Sequence, residues 1–257
     1  DVLDFAASSD GERIVYAVRD GADGSLRVVD RNGDGDRLLL ACPGAECSAP
    51  AWLPDSRRLV YERRDRSGAT LGSPRLYWLD PATGETLPLI EGNATPGYGA
   101  RFSPDGQWLS YVSPGDDGVV LYRLSDGEQR LLSSRVGRPA AFSPDSAQVV
   151  VSDIVLRGDV TAPEAVDGES PFQESSSVYL YRYELEEGLA GRQRQRLSPE
   201  AAVDDSAPAW SPDGEWIAFG RTPADVAAGR QLWQMRPDGS EAQPLTSDPG
   251  FFYGPPA

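Results

Sequence analysis

The stretch Ala207-Pro208-Ala209-Trp210-Ser211-Pro212-Asp213-Gly214-Glu215-Trp216-Ile217-Ala218-Phe219 places a tight turn between an aromatic residue and a short apolar run. In the turn Ser211–Gly214, Pro presets φ, Asp can bond nearby backbone groups, and Gly adopts the left-handed conformation that closes the turn. The run Trp216–Phe219 is aromatic and β-branched, and it is too short for a helix. The segment therefore predicts a turn followed by a strand.

The same pattern recurs along the whole chain. Its other copies begin Trp52-Leu53-Pro54-Asp55, Phe102-Ser103-Pro104-Asp105 and Phe142-Ser143-Pro144-Asp145, and a weaker copy opens the chain at Ser9-Asp10-Gly11. The turn aspartates are spaced by 45, 50, 40 and 68 residues, periods that suit a four-stranded propeller blade with loops of variable length. A further strand pattern follows within the units, for example at Leu76–Leu79, Leu121–Leu124 and Leu232–Met235. We therefore predict an all-β fold of five units, with the aromatic residue of each clear copy packed between blades.

The last unit continues through Leu232-Trp233-Gln234-Met235-Arg236-Pro237-Asp238-Gly239-Ser240 to Pro244-Leu245-Thr246, and with it the repeat resembles the TolB-type β-propeller repeat. The resemblance covers essentially the whole chain. It implies one β-propeller domain over residues 1–257, with blades at about 3–47, 48–97, 98–137, 138–205 and 206–253.

The family usually has six blades, whereas this sequence carries five recognisable repeats. Gly254–Ala257 aligns with Ser206–Ala209, where a sixth inner strand would begin. Three arrangements stay open: five blades close alone, the sequence is part of a longer protein, or a partner supplies the rest. Closure of some kind is expected, because an open blade edge favours aggregation.

The composition excludes several classes of partner and catalytic site. The formal charge is −16, which argues against a nucleic-acid partner, because phosphate binding needs a basic face. No stretch of 18 apolar residues is present, so the chain is not expected to span a membrane. The sequence contains no His, and all its basic residues are Arg, so it cannot build a Ser-His-Asp relay or a phosphate-binding loop with its Lys. Carboxylate chemistry, oxygen-ligand metals or no catalysis at all stay open, and among forty carboxylates no pair stands out. We predict no catalytic residues and no enzyme activity.

Cys42 and Cys47 stand in the connection between the first and second units. Two Cys without His are too few for a zinc site, and their spacing is not that of a C-x-x-C redox motif. The pattern favours a local disulfide that pins an exposed loop, which would place the protein outside the cytoplasm. A reduced pair is the alternative.

The segment Asp30–Asp36 matches the opening of a calcium loop, with Asp30, Asn32 and Asp34 as oxygen ligands at alternate positions. The full pattern requires a bidentate Glu at position 41, and this chain has Ala41 there. A polar hairpin turn is the simpler interpretation. The expected cofactor is therefore none, with calcium kept as the alternative.

Three aromatic residues in connections are candidate partner-binding residues: Tyr98, Phe172 and Tyr253. Phe172 lies in the longest insertion, roughly Asp153 to Ser177, which is acidic. Long loops on a rigid scaffold tend to carry binding function, and exposed aromatics suit a recognition hot spot. Ordinary packing of Tyr98 and Tyr253 is the competing interpretation.

These observations lead to the prediction of a non-catalytic β-propeller that acts as a protein–protein interaction module. Its expected location is extracytoplasmic, in the periplasm or at the cell surface of a bacterium, with a lipoprotein anchor left open. Its expected partner is another protein of the cell envelope or of a larger complex. Two alternatives remain: the gating propeller of a larger serine hydrolase or peptidase, and a sensor propeller that binds carbohydrate or calcium.

Overall fold

A computed structural model describes residues 1–90, 95–157, 175–185, 194–199, 203–223, 229–248 and 253–256. Its regular elements are all strands, so the predicted all-β class is confirmed. Within the described ranges, no helix has the length and apolar character that a membrane crossing requires. The chain divides into two compact units, Asp1–Leu132 (unit 1) and Ser133–Ala257 (unit 2).

Unit 1 contains three antiparallel sheets that follow one another along the chain. The first comprises β1 (Val2–Ala7), β2 (Arg13–Asp20), β3 (Asp23–Asp30) and β4 (Arg37–Cys42). The second comprises β5 (Ala45–Trp52), β6 (Leu59–Ser67), β7 (Thr70–Leu71), β8 (Arg75–Leu79) and β9 (Thr86–Pro88), with the short β7 paired only to β6. The third comprises β10 (Tyr98–Phe102), β11 (Trp108–Ser113), β12 (Gly118–Arg123) and β13 (Gln129–Ser133).

Unit 2 repeats this order twice. One set of strands is β14 (Ala141–Phe142), β15 (Gln148–Arg157), β16 (Ser175–Glu184) and β17 (Arg194–Arg196). The other set is β18 (Val203–Trp210), β19 (Ile217–Pro223), β20 (Gln231–Met235) and β21 (Gln243–Pro244). A single parallel pairing of Val178 with Asp204 joins the two sets. Meandering four-stranded sheets are the blade topology that the repeats predict, while the assembly of all five into one domain stays a prediction.

The repeated turn is held by its own Ser and Asp. In the third repeat the Ser103 hydroxyl donates to the Asp105 carboxylate and accepts the Trp108 N–H at 2.9 Å. Gly106 has a φ of 70°, in the left-handed region where a side chain costs energy. Two repeats have Ser in this place, and Ser56 and Ser146 adopt the same conformation, with φ of 58° and 61°. In the fourth repeat the bonds of Ser143 therefore fix the turn even without Gly.

Aromatic residues that precede the turn pack between neighbouring sheets, as predicted. Trp52 of β5 donates its indole N–H to the Ala6 carbonyl of β1 at 3.1 Å. In unit 2, Trp210 of β18 donates in the same way to the Ala141 carbonyl of β14 at 3.2 Å. Each indole is thus a fixed contact between one sheet and the sheet before it.

Cys42 and Cys47 form the predicted disulfide, with their Cα atoms 6.3 Å apart. Its expected setting in an exposed loop is wrong: both residues are fully buried in the hydrophobic cluster under the first two sheets. The reason is that β4 and β5 extend almost to meet, so that only Pro43 and Gly44 connect them. The disulfide therefore ties an outer strand of one sheet to the inner strand of the next.

Candidate functional site

An open groove of about 620 Å³ lies in unit 1 along the inner strands β1, β5 and β10. Three prolines, Pro50, Pro54 and Pro104, form part of its wall, together with Trp52 and Phe102. The Phe5 side chain is 71% exposed, an unusual position for a residue of this size and apolarity. Arg101 is also exposed, and its Nη1 donates to the neighbouring Ala100 carbonyl at 2.9 Å. The groove thus combines apolar and aromatic walls with a cation.

Backbone irregularities bring carboxylates close to this groove. The pairing of β5 with β6 shifts between Ser48 and Ala51, and Ala49 has a left-handed φ of 48°. Such a bulge takes an N–H out of the strand ladder. The Ala49 N–H donates instead to Asp4 Oδ2 at 2.7 Å.

Asp4 is only partly satisfied by this bond. Its Oδ1 is buried and has no hydrogen-bond donor within the described part of the chain. Burial raises the pKa of the Asp4 carboxyl, and repulsion from Glu46 adds to that effect. The Ala49 N–H and the charge of Arg101 act in the opposite direction. Asp4 is therefore a carboxylate whose ionisation the structure opposes.

Glu62 of β6 repeats this arrangement at the next sheet. Its side chain accepts the Gly99 N–H of β10 through Oε1 at 2.7 Å, and the residue is 6% exposed. Burial raises the pKa of the Glu62 carboxyl more than the Gly99 N–H and the Arg64 guanidinium, whose Nη2 lies 3.9 Å from Oε2, lower it. Arg101 attracts both Glu62 and Asp4, while the two carboxylates repel each other. One exposed arginine thus attracts both carboxylates without offsetting the effect of their burial.

This arrangement suits an extended peptide. Phe5 and the proline-rich wall offer apolar surface to side chains, and burying an aromatic side chain contributes about 1.5–3 kcal/mol. Arg101 presents N–H donors to backbone carbonyls or to a carboxylate. The groove contains neither His nor Lys, because the chain has none.

Substitution Glu62→Gln tests the electrostatics of this site. Because the folded state raises the pKa of Glu62, it binds that proton more tightly than the unfolded chain does, and ionisation costs stability as pH rises. Gln keeps an oxygen for the Gly99 N–H and never ionises. The free energy of unfolding of the variant minus that of the parent should therefore increase from pH 4 to pH 8 in urea titrations.

Asp145→Asn is the matched control of opposite sign. The Ser143 hydroxyl lowers the pKa of Asp145, so this carboxylate stabilises the folded state above its unfolded pKa and loses that contribution as pH falls. The same difference for Asp145→Asn should become more negative as pH rises from about 2 to 5, because the lowered pKa of Asp145 places its titration in that range. A flat or falling profile for Glu62→Gln would contradict the assignment.

The predicted calcium ligands lie in the hairpin between β3 and β4. The Asn32 side chain donates to Asp34 Oδ2 at 2.9 Å, and the Asp34 N–H donates back to Asn32 Oδ1 at 3.1 Å. The Asp30 N–H donates to the Asp34 carbonyl at 2.9 Å, which closes the turn. Among the residues described, no group of three or more His, Cys, Asp or Glu is arranged to hold a metal ion. Calcium binding here stays a prediction.

The three aromatic candidates do not form one site. Tyr98 begins β10 in unit 1 and is half-buried, and Tyr253 in unit 2 is half-buried with its N–H donating to the Arg230 carbonyl at 3.0 Å. Phe172 lies outside the described residues. Partner binding by Tyr98, Phe172 and Tyr253 stays a prediction.

Sequence reasoning missed Phe5, Glu62 and Arg101, although the repeats hold the signal. Four residues before the turn Asp the other units have alanine, at Ala6, Ala51, Ala141 and Ala209, and Arg101 stands in that column. Seven residues after it, the others have Ala17, Val112, Ser152 and Gly220, and Glu62 stands there. A charge in a column of small or apolar residues is a departure that the fold does not require.

Comparisons with known proteins place this geometry in context. No family model matches the sequence. YuxL of Bacillus subtilis, described as an uncharacterized peptidase, is 27% identical over 191 residues, which cover 66% of this chain and 28% of YuxL. TolB from Acinetobacter baumannii has a TM-score of 0.60 and 20% identity, covering 92% of this chain and 53% of that protein. The β-propeller domain of the Trilobed protease from Pyrococcus furiosus has a TM-score of 0.62 and 13% identity, covering 95% of this chain and 71% of that domain.

The chain spans 28% of the length of YuxL and about half that of TolB. The expected non-catalytic interaction module is wrong, and so is the non-enzyme classification, because the sequence relative YuxL is named a peptidase. The findings favour the alternative of a propeller within a larger peptidase. The two solved structures establish the fold without fixing the function. The chain has a TolB-like β-propeller fold.

Proposed function

We propose that this chain is the β-propeller part of a larger peptidase and that its unit 1 groove binds peptide substrate. The observation that carries the proposal is the match to YuxL over 191 residues, which uses most of this chain and little of YuxL. Catalytic residues would lie elsewhere in the polypeptide, because a chain without His cannot supply a Ser-His-Asp relay. The propeller would position peptides for that site and control their access to it.

The groove supports this role. Its exposed Phe5 and its proline-lined wall suit apolar side chains of an extended peptide, and Arg101 suits its backbone carbonyls. We also propose that the protein works outside the cytoplasm, since a buried disulfide forms and persists in an oxidising compartment.

The complete gene product and residues 1–257 alone should be compared in one assay. The complete product should hydrolyse chromogenic peptides and react with a fluorophosphonate probe of serine hydrolases, whereas residues 1–257 should do neither. Its open reading frame should also encode a G-x-S-x-G turn in an α/β-hydrolase pattern. A complete product that lacks both the hydrolase segment and peptide turnover would overturn the proposal.

The groove itself is tested by Phe5→Ala and Arg101→Gln in the complete product. Each should raise KM for peptide substrates about tenfold, corresponding to about 1.4 kcal/mol of lost binding. Leu87→Ala is the matched control, since Leu87 is an equally exposed apolar residue of unit 1 on the outer strand β9. Equal KM values for Phe5→Ala and Leu87→Ala would assign peptide binding to another surface.

A further inference from the structure

Arg230 of unit 2 is a buried cation, 6% exposed, that has no carboxylate partner among the described residues. Within that part of the chain, one of its five N–H donors has an acceptor, the Ser206 carbonyl, which lies 3.2 Å from Nη2. Its Nε is buried and has no acceptor among the same residues. The nearby carboxylate of Asp205 is already engaged by Nε and Nη2 of Arg221 at 2.6 and 2.7 Å. A buried charge left unpaired is costly, so the site is built for a group that the described chain does not supply.

Gly220 holds the Arg230 guanidinium in place. A Cβ at Gly220 would lie 1.7 Å from Nε and 2.3 Å from Nη2, so the guanidinium occupies the space of the missing side chain. This contact covers the Nε side of the group. Among the described residues no acceptor meets Nη1, so Nη1 and the second N–H of Nη2 can form two parallel bonds to a carboxylate.

Arg138 reinforces the positive charge. It is exposed, and the described residues give it no ion pair or hydrogen bond. Burial lowers the pKa of Arg230, and repulsion from Arg138 lowers it further. In a chain of net charge −16, two arginines that repel each other, with no carboxylate paired to either among the described residues, are unusual, and an anion bound there would remove their repulsion.

The corresponding position of the second repeat carries the opposite charge. Gly220 stands seven residues after its turn Asp, where the second repeat has Glu62. There the chain provides an acid that accepts an N–H of the next strand. In the fifth repeat the Arg230 guanidinium fills this space, so a ligand bound there must supply a hydrogen-bond acceptor.

We propose that Arg230 and Arg138 form a carboxylate-binding site in unit 2. Its ligand is either the free C-terminal carboxylate of a peptide or the side-chain carboxylate of an Asp or Glu in a protein segment. A carboxylate is favoured over a larger polyanion because the net charge of the chain repels polyanions and the buried guanidinium offers one narrow edge. This proposal does not depend on peptidase activity.

The experiment follows the side-chain ¹H–¹⁵N resonances of arginine in NMR titrations of residues 1–257. N-acetyl-Ala-Ala with a free carboxylate should shift the Arg230 resonance saturably, and the same peptide with an amidated C-terminus should not. Amidated N-acetyl-Ala-Asp-Ala distinguishes the sources, because it binds only if the site accepts a side-chain carboxylate. Inorganic phosphate that binds as tightly as any carboxylate probe would overturn the assignment of the ligand class.

Variants complete the test. Arg230→Gln and Arg138→Gln should each weaken carboxylate binding at least tenfold by calorimetry, and Arg230→Lys should weaken it as well, because the fork is lost. Arg138 is exposed, so Arg138→Gln keeps the test valid if Arg230→Gln fails to fold. Arg31→Gln, an exposed arginine of unit 1, is the control and should bind as the parent does. Unchanged affinity in Arg138→Gln, or no saturable shift in the parent protein, would refute the site.

Discussion

Substitution of Asp205 by Ala is expected to lower the free energy of unfolding by about 3–5 kcal/mol. Asp205 is fully buried, and both its carboxylate oxygens accept bonds from Arg221, at 2.6 and 2.7 Å. The Arg221 guanidinium lies over the Trp233 ring, 4.5 Å from its centroid, and beside Phe219. Removal of the acid would leave a buried cation beside aromatic side chains without its carboxylate partner. Denaturant unfolding of the variant measures the loss.

Two further variants separate the buried charge from the loss of a side chain. Adding Arg221→Met to Asp205→Ala should recover part of the stability, since well-packed apolar groups replace buried ion pairs at little cost. Glu12→Ala breaks the exposed pair of Glu12 with Arg31, whose atoms are 3.5 Å apart, and should cost less than about 1 kcal/mol. Equal losses for Asp205→Ala and Glu12→Ala would show that the buried pair contributes no more than a surface pair.

The fold was predictable because the residues that specify each turn and strand are close together in the sequence. Each of the four clear copies of the turn carries Pro-Asp, and the observed hydrogen bonds of Ser103 and Asp105 reach no further than Trp108. Strands such as β2 and β19 follow directly from the apolar runs after it. Because the pattern of a turn followed by a strand recurs five times, an ambiguous copy does not change the predicted fold.

The candidate sites were less predictable because they depend on contacts between distant residues. Glu62 meets Gly99 across 37 residues, and Asp4 meets Ala49 across 45, which no local pattern reports. The disulfide shows the same limit: the spacing of Cys42 and Cys47 indicated a loop, whereas the burial of both depends on how far β4 and β5 extend. Departures from the repeat columns were visible in the sequence, but their neighbours were not.

The function was misassigned for a different physical reason. The absence of His correctly excludes a Ser-His-Asp relay within these 257 residues, but it says nothing of residues elsewhere in a longer polypeptide. A propeller of this kind occurs in TolB and in the Trilobed protease alike. The absence of one catalytic relay therefore does not predict a protein without enzyme activity.

The second large effect is expected for Trp52→Ala, which should destabilise the protein by about 3–5 kcal/mol. Trp52 is 7% exposed, packs in the cluster between the first two sheets, and carries the Arg13 guanidinium over its ring at 4.8 Å from the centroid. Its indole N–H also joins β5 to the Ala6 carbonyl of β1. Truncation would open a cavity between two sheets and leave that carbonyl without its donor. Urea unfolding followed by far-UV circular dichroism measures the change.

Trp52→Phe separates packing from the hydrogen bond and connects the prediction to the repeat. Phe102 holds the same place in the third repeat, so the position tolerates an aromatic ring without an N–H. Trp52→Phe should therefore cost only about 1–2 kcal/mol, from the lost bond and the smaller ring. If Trp52→Ala were no worse than Trp52→Phe, the aromatic would not hold neighbouring sheets together. The recurrence of an aromatic before each clear turn would then need an explanation outside the packing between sheets.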